Sequence, residues 1–155
     1  MLKYLWLTSV VIAIDQVSKW FMVSWLSLHE TFAVMPFFNL TMAHNPGAAF
    51  SFLAHADGWQ RWFFIGLASV VSFALLIWLK KLKPQAKLEA ISIAMILGGA
   101  LGNLIDRFYY GYVIDFLDVY YGTYHWPAFN IADSAIVIGA VLLIIDSFRS
   151  KTEYL

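Results

Sequence analysis

Three of the aspartates between residues 98 and 134 are candidates for catalysis because of their chemical type and their spacing. Asp106, Asp115 and Asp133 stand beside apolar runs that are long enough to lie in a membrane. An ionisable side chain is costly in that environment and is a functional candidate by default. Two carboxylates in one poorly solvated site cannot both ionise easily, so one keeps a proton while the other acts as a base toward water. Such a pair can hydrolyse a peptide bond, and paired carboxylates in membranes also carry protons or ions.

Other catalytic chemistries lack the residues that they need. The chain has no cysteine, which excludes disulfides, thiolate nucleophiles and cysteine-ligated metals. Its four histidines, at positions 29, 44, 55 and 125, are scattered outside the apolar runs, and no serine lies in a G-x-S-x-G turn. We therefore predict neither a metal site nor a cofactor.

Composition places the chain in a bilayer. Of its 155 residues, 61% are hydrophobic and only 13% are charged, which is too apolar for an ordinary soluble domain. The basic residues form short segments instead of one face, which argues against a nucleic-acid partner. We predict a single all-α membrane domain, a four-helix transmembrane bundle, with spans at about 4–26, 62–79, 88–105 and 127–148.

Two long loops, 27–61 and 106–126, connect these spans on the extracytoplasmic side of the predicted bundle. The segment TFAVMPFFNLTM in the first loop favours a small β-sheet or hairpin. Asn45, just before Pro-Gly, is a candidate site residue, although an asparagine there is also ordinary turn chemistry. The second loop is rich in tyrosine and is predicted to rest at the headgroup interface, with Asp118 as a solvated carboxylate.

Polar residues interrupt the first and third spans. Asp15 and Lys19 are four apart, so they share a helical face and can pair, either for function or as a structural ion pair. Asn103 and Asp106 are three apart and project together from the end of the third span, where Arg107 is available to pair a carboxylate. The G-x-x-x-G spacing from Gly98 to Gly102 predicts close helix packing in the same span.

The start of the fourth span is set by its required length. A span of about 20 residues that ends near Asp146 has to start near Pro127. Asp133 would then lie roughly 9 Å along the helix, at 1.5 Å per residue. The alternative interpretation of Asn130 and Asp133 is a helix N-terminal capping pair.

Basic residues predict the orientation. With four spans, one side collects most of the positive charge, whereas the opposite loops hold only Arg61 and Arg107. The positive-inside rule therefore places both termini in the cytoplasm. The residues on the basic side are Lys3, Lys80, Lys81, Lys83, Lys87, Arg149 and Lys151.

Five short motifs together resemble one enzyme family. They are DQVSK at 15–19, NPGAAF at 45–50, GNLIDR at 102–107, VIDF at 113–116 and FNIADS at 129–134. In this order, over almost the whole chain, they are similar to lipoprotein signal peptidase, the signal peptidase II family of the bacterial inner membrane. The resemblance implies four transmembrane helices, a site on the periplasmic side, and a first-loop sheet that cradles the substrate.

Carried onto this chain, the resemblance implies that Asp115 and Asp133 form a catalytic dyad. It gives supporting or substrate-binding roles to seven other polar residues, Asp15, Lys19, Asn45, Asn103, Asp106, Arg107 and Asn130.

The implied activity is aspartic endopeptidase cleavage of bacterial prolipoproteins, just before a diacylglyceryl-modified cysteine. The implied partners are lipid-modified prolipoproteins, membrane lipid and the inhibitor globomycin. The alternative from another class is a small proton- or ion-coupled carrier, with Asp15, Lys19 and Asp133 as its relay. A carrier would need polar residues that continue toward the cytoplasm, and the second and fourth spans offer few.

Overall fold

Four long helices and a small sheet make up the fold. The computed structural model describes residues 1–47 and 58–152, so motif residues 48–50 and the histidine at position 55 lie outside the described residues. After a short 3-10 turn, the helices are α1 (Leu5–Trp25), α2 (Trp59–Lys81), α3 (Lys87–Tyr109) and α4 (Ile131–Thr152). The strands are β1 (Thr31–Met35), β2 (Phe38–Asn45), β3 (Val113–Tyr121) and β4 (Tyr124–His125).

Three helices in the described part of the chain are long and apolar enough to cross a membrane: α2, α3 and α4 up to Arg149. The first predicted span coincides with α1, which has 21 residues. Asp15, Gln16 and Lys19 lower the mean hydropathy of α1, so the four-span bundle stays a prediction.

Helix α3 is central and packs against each of the other three helices. Its glycines allow this close approach. A Cβ on Gly98 would lie 2.7 Å from Cβ of Val11, and a Cβ on Gly99 would collide with the carbonyl oxygen of Ala132 in α4. The small residues of α3 therefore set the distances at which α1 and α4 pack.

We expect Gly99→Ala to destabilise the protein, because a methyl group there meets backbone that cannot rotate away. Overpacking of this kind costs about 1–3 kcal/mol. The matched control is Gly66→Ala on α2, where an added Cβ has nothing within 4 Å. Thermal unfolding in detergent micelles should show a lower midpoint for Gly99→Ala only. Equal midpoints for both variants would contradict the close packing of α3 and α4.

The sheet is antiparallel, in the order β1-β2-β3-β4, and it draws strands from both long loops. The prediction of a sheet confined to the first loop was therefore incomplete, since β3 and β4 come from the second. Pairing of β2 with β3 places Ala43 opposite Asp115 and Asn45 opposite Val113. The second loop thus contributes a strand that carries a candidate catalytic aspartate.

An apolar cluster fixes the sheet to the end of α1. Met22 and Leu26 at that end pack with Met42 of β2 and with Ile114 and Phe116 of β3. All five side chains are buried. Each buried side chain of this size stabilises the fold by about 1.5–3 kcal/mol, so the cluster holds the sheet over the helix ends.

The fourth span begins later than predicted. Helix α4 starts at Ile131, which places Asp133 in its first turn instead of about 9 Å along. The preceding backbone is used by the sheet, because Phe129 N donates to Leu117 O at 3.1 Å. Phe129 therefore pairs with β3, and the helix does not extend back to Pro127.

Candidate active site

Asn130 links the two candidate catalytic aspartates. Its Oδ1 accepts a hydrogen bond from Asp133 N at 2.9 Å, and its own backbone N donates to Asp133 Oδ2 at 3.3 Å, which is a reciprocal helix cap. Because its oxygen is held by a backbone donor, its Nδ2 must point the other way, to Asp115 Oδ1 at 2.7 Å. The capping interpretation is correct, and the same side chain also reaches the second carboxylate.

Asn45 binds the other oxygen of Asp115. Its Oδ1 accepts from Gly47 N at 3.0 Å, the turn chemistry considered as an alternative, and this again orients the amide. Asn45 Nδ2 donates to Asp115 Oδ2 at 3.0 Å. Turn formation and contact with Asp115 are therefore both served by one side chain.

Asn103 binds Asp133 in the same way that Asn45 binds Asp115. Its Oδ1 accepts from Lys19 Nζ at 3.0 Å and from Asn130 Nδ2 at 3.1 Å. Its Nδ2 then donates to Asp133 Oδ1 at 2.7 Å. Three amides, each oriented by a donor that cannot be reversed, hold the two carboxylates in fixed positions.

Burial and a like charge act together on Asp115, which is only 2% exposed. Loss of solvation, followed by repulsion from Asp133, raises the pKa of Asp115 to about 7, against the opposing hydrogen bonds from Asn45 and Asn130. Near neutral pH this carboxyl can hold or release a proton, as acid–base catalysis requires.

This pKa predicts a pH-dependent stability. At Asp115, the folded protein holds a proton that the unfolded chain has lost between pH 3.8, the ordinary value, and about 7. The contribution of Asp115 to the free energy of unfolding should therefore be highest below that window and fall as the pH rises through it. Chemical unfolding of detergent-solubilised protein at several pH values measures this slope. We expect Asp115→Asn to lose most of it; an unchanged slope would show that the proton is bound elsewhere.

A buried charge cluster lies behind the dyad. Lys19 Nζ lies 2.8 Å from Asp15 Oδ2 and 2.8 Å from Asp106 Oδ2, and all three side chains are almost completely buried. The predicted pairing of Asp15 with Lys19 is therefore present, with a third member from α3. Gln16, which sequence reasoning gave no role, bridges the two carboxylates at 3.1 and 2.9 Å. Its position within the DQVSK motif could have indicated a role for it.

The cluster also positions the elements that carry the dyad. Asp15 Oδ1 accepts a hydrogen bond from Ala132 N at 2.9 Å. Ala132 lies in the first turn of α4, where a backbone N–H has no acceptor within the helix. Asp106 Oδ2 accepts from Ile114 N at 3.1 Å, directly before Asp115. The charges thus fix the backbone next to both aspartates.

The sequence indicated that Arg107 is available to pair a carboxylate, but it has no ion pair within 4 Å among the described residues. Its Nη2 donates to Gly47 O at 2.8 Å, which holds the turn that carries Asn45. Its guanidinium also lies 5.1 Å above the ring of Phe64 in α2. Arg107 therefore connects the first loop to α2 and α3.

Asp118 is not a solvated loop carboxylate, so that prediction was wrong. It is 6% exposed, accepts from Asn39 Nδ2 at 2.9 Å, and contacts His125 Nδ1 at 2.9 Å. Pairing of β2 with β3 places Asn39 opposite Asp118, which explains its burial. The residue supports the sheet and does not contact the dyad's hydrogen-bond network.

No group of three or more His, Cys, Asp or Glu within residues 1–47 and 58–152 could hold a metal ion. The carboxylates near the dyad are already held by asparagine amides, Lys19 and backbone N–H groups.

The sequence model of the signal peptidase II family matches residues 7–149 of this chain. The chain belongs to the signal peptidase II family. It is therefore a peptidase, and the carrier alternative is not retained.

Relatives and solved structures agree with this membership. The chain is 56% identical to the lipoprotein signal peptidase of Alteromonas mediterranea, over 96% of this chain and 82% of the relative. It is 52% identical to that of Pseudomonas aeruginosa, over 97% and 90%. A solved bacterial membrane enzyme superposes with a TM-score of 0.87 at 32% identity, covering 97% of this chain and 90% of that one.

Proposed function

We propose that this protein is an aspartic endopeptidase that removes signal peptides from diacylglyceryl-modified prolipoproteins, cutting just before the lipidated cysteine. The family provides the substrate class, because the relatives are named lipoprotein signal peptidase. The single observation that carries the aspartic mechanism is the contact of Asn130 with both Asp115 and Asp133.

The chemistry requires one carboxylate as base and one carboxyl as acid. The base takes a proton from a water whose oxygen attacks the scissile carbonyl carbon, and the acid donates its proton to the carbonyl oxygen. When the tetrahedral intermediate collapses, the C–N bond breaks and the amine of the cysteine leaves with a proton from the dyad. A poorly solvated site strengthens the electrostatic stabilisation of this intermediate.

We infer that the protein lies in the bacterial inner membrane, with four spans and both termini in the cytoplasm. Lys80, Lys81 and Lys87 stand where α2 ends and α3 begins, whereas Asn103 and Asp106 lie at the opposite end of α3. The positive-inside rule then puts the lysines in the cytoplasm and the candidate site at the periplasmic face. There the lipid and signal helix of the substrate stay in hydrocarbon while the scissile bond meets the dyad.

The test of this function is cleavage of a defined precursor by the purified protein. A diacylglyceryl-modified prolipoprotein should be cut once, before the modified cysteine, and its unmodified counterpart should be cut far more slowly. Mass spectrometry of both products gives the position. Globomycin should inhibit, and a chelator should leave the rate unchanged. Cleavage elsewhere, or activity lost to a chelator and restored by zinc, would contradict the proposal.

A further inference from the structure

We propose that Gln60, with Arg107, binds one peptide group of an extended segment of the substrate next to the scissile bond. This assignment rests on the proposed function and adds a binding residue to it. The proposed ligand is a backbone peptide group, which every peptide substrate contains.

Gln60 is the second residue of α2 and has an unusual environment. The residue is only 6% exposed, yet its Oε1 has no hydrogen-bond partner in the described part of the chain. A buried acceptor without a partner costs free energy, and such groups in native proteins call for an explanation. A ligand that supplies an N–H group would remove this cost.

Arg107 provides a matching unpaired donor. Its Nε is also buried and, over residues 1–47 and 58–152, lacks a hydrogen-bond partner, although its Nη2 is bound to Gly47 O. A buried N–H of a guanidinium is a strong donor toward a carbonyl oxygen.

The two unpaired groups lie at the same junction of α2 and α3. Arg107 stacks over Phe64, which is one turn from Gln60 on the same face of α2. Arg61, the next residue after Gln60, donates from its Nε to Arg107 O at 2.9 Å. The beginning of α2 is thereby tied to the end of α3.

One acceptor and one donor complement a peptide group, which offers an N–H and a C=O. A helical substrate satisfies both groups internally, so only an extended segment leaves them free to bind here. Arg107 also binds the turn at Gly47, two residues after the Asn45 that donates to Asp115, so a peptide held at this junction runs beside the dyad. Gln60 and Arg107 would thus favour substrates that unwind near the scissile bond.

The first experiment compares Gln60→Leu with the unaltered protein in the cleavage assay. Loss of one hydrogen bond to substrate should raise KM about three- to tenfold with little change in kcat. Thermal stability should stay the same or rise, because the change removes a buried acceptor that has no hydrogen-bond partner among the described residues. Ser72→Ala is the matched control, and it should leave KM unchanged. Ser72 Oγ is another buried oxygen on α2 that has no hydrogen-bond partner within residues 1–47 and 58–152.

The second experiment identifies the bound atom. In a series of lipidated precursors, each carries one ester in place of one amide near the scissile bond, which removes a single N–H. One ester should raise KM for the unaltered protein but not for Gln60→Leu.

An unchanged KM for Gln60→Leu, or the same penalty from every ester in both proteins, would overturn the assignment. A lowered unfolding midpoint for Gln60→Leu would likewise show that the amide is structural. Failure of the unaltered protein to cut the lipidated precursor would instead overturn the proposed function, and this assignment with it.

Discussion

We expect Asp115→Asn and Asp133→Asn each to lower kcat for cleavage of a lipidated precursor by about 10²–10⁴-fold, the range for positioned acid–base groups. Asparagine keeps the size of the side chain but cannot take or give the proton. Since the two carboxylates act as a unit, kcat of the double variant should be lower than that of the slower single variant by only a small factor. Single-turnover rates in detergent micelles with the lipidated precursor measure the loss.

Asp118→Asn is the control for this pair of variants. It removes a carboxylate from β3, the strand that also carries Asp115. The Asp118 carboxylate contacts Asn39 and His125 instead of the dyad. It should keep kcat within a small factor of the unaltered protein. The dyad assignment is wrong if either folded dyad variant retains near-normal turnover, or if Asp118→Asn is as inactive as they are.

Lys19→Met should cause the largest loss of stability. The substitution keeps the length of the side chain but leaves Asp15 and Asp106 buried without their shared cation. Breaking a buried ion pair by removing one partner costs about 3–5 kcal/mol. Activity should also fall, because Asn103 loses one of the two donors that orient its amide toward Asp133. Chemical unfolding in micelles, paired with the cleavage assay, measures both effects.

Lys80→Met gives the matched comparison, because Lys80 is exposed in the last turn of α2. It should change stability by less than about 1 kcal/mol, as expected for an exposed charge near a helix end. If Lys19→Met is no less stable than Lys80→Met, the cluster does not hold the site together.

Local sequence determined which residues were candidates and which family they indicated. Spacing of four predicted that Asp15 and Lys19 pair, and the structure confirms this pair. Apolar runs predicted helices that correspond to α2, α3 and α4, because a long uncharged segment has few alternatives to a helix in lipid. The five motifs indicated the family, and the match over residues 7–149 confirms it.

Only tertiary structure decided how these residues are used. Asp118 was expected in solvent because nothing near it in sequence shows that Asn39 would bond to it across the sheet. The start of α4 was misplaced because the backbone at Phe129 pairs with β3, a partner 12 residues earlier at Leu117. The orientation of the Asn103 amide depends on two donors brought by the fold, Lys19 Nζ and Asn130 Nδ2.

The physical reason for this division is range. Helix periodicity and hydropathy are local properties that neighbouring residues fix, so the sequence alone states them. Burial, strand register and hydrogen-bond partners depend on contacts between residues up to 117 positions apart, as for Asp15 and Ala132. Such contacts form only when α1, α3, α4 and the sheet close around one another, and they turn separate carboxylates into one site.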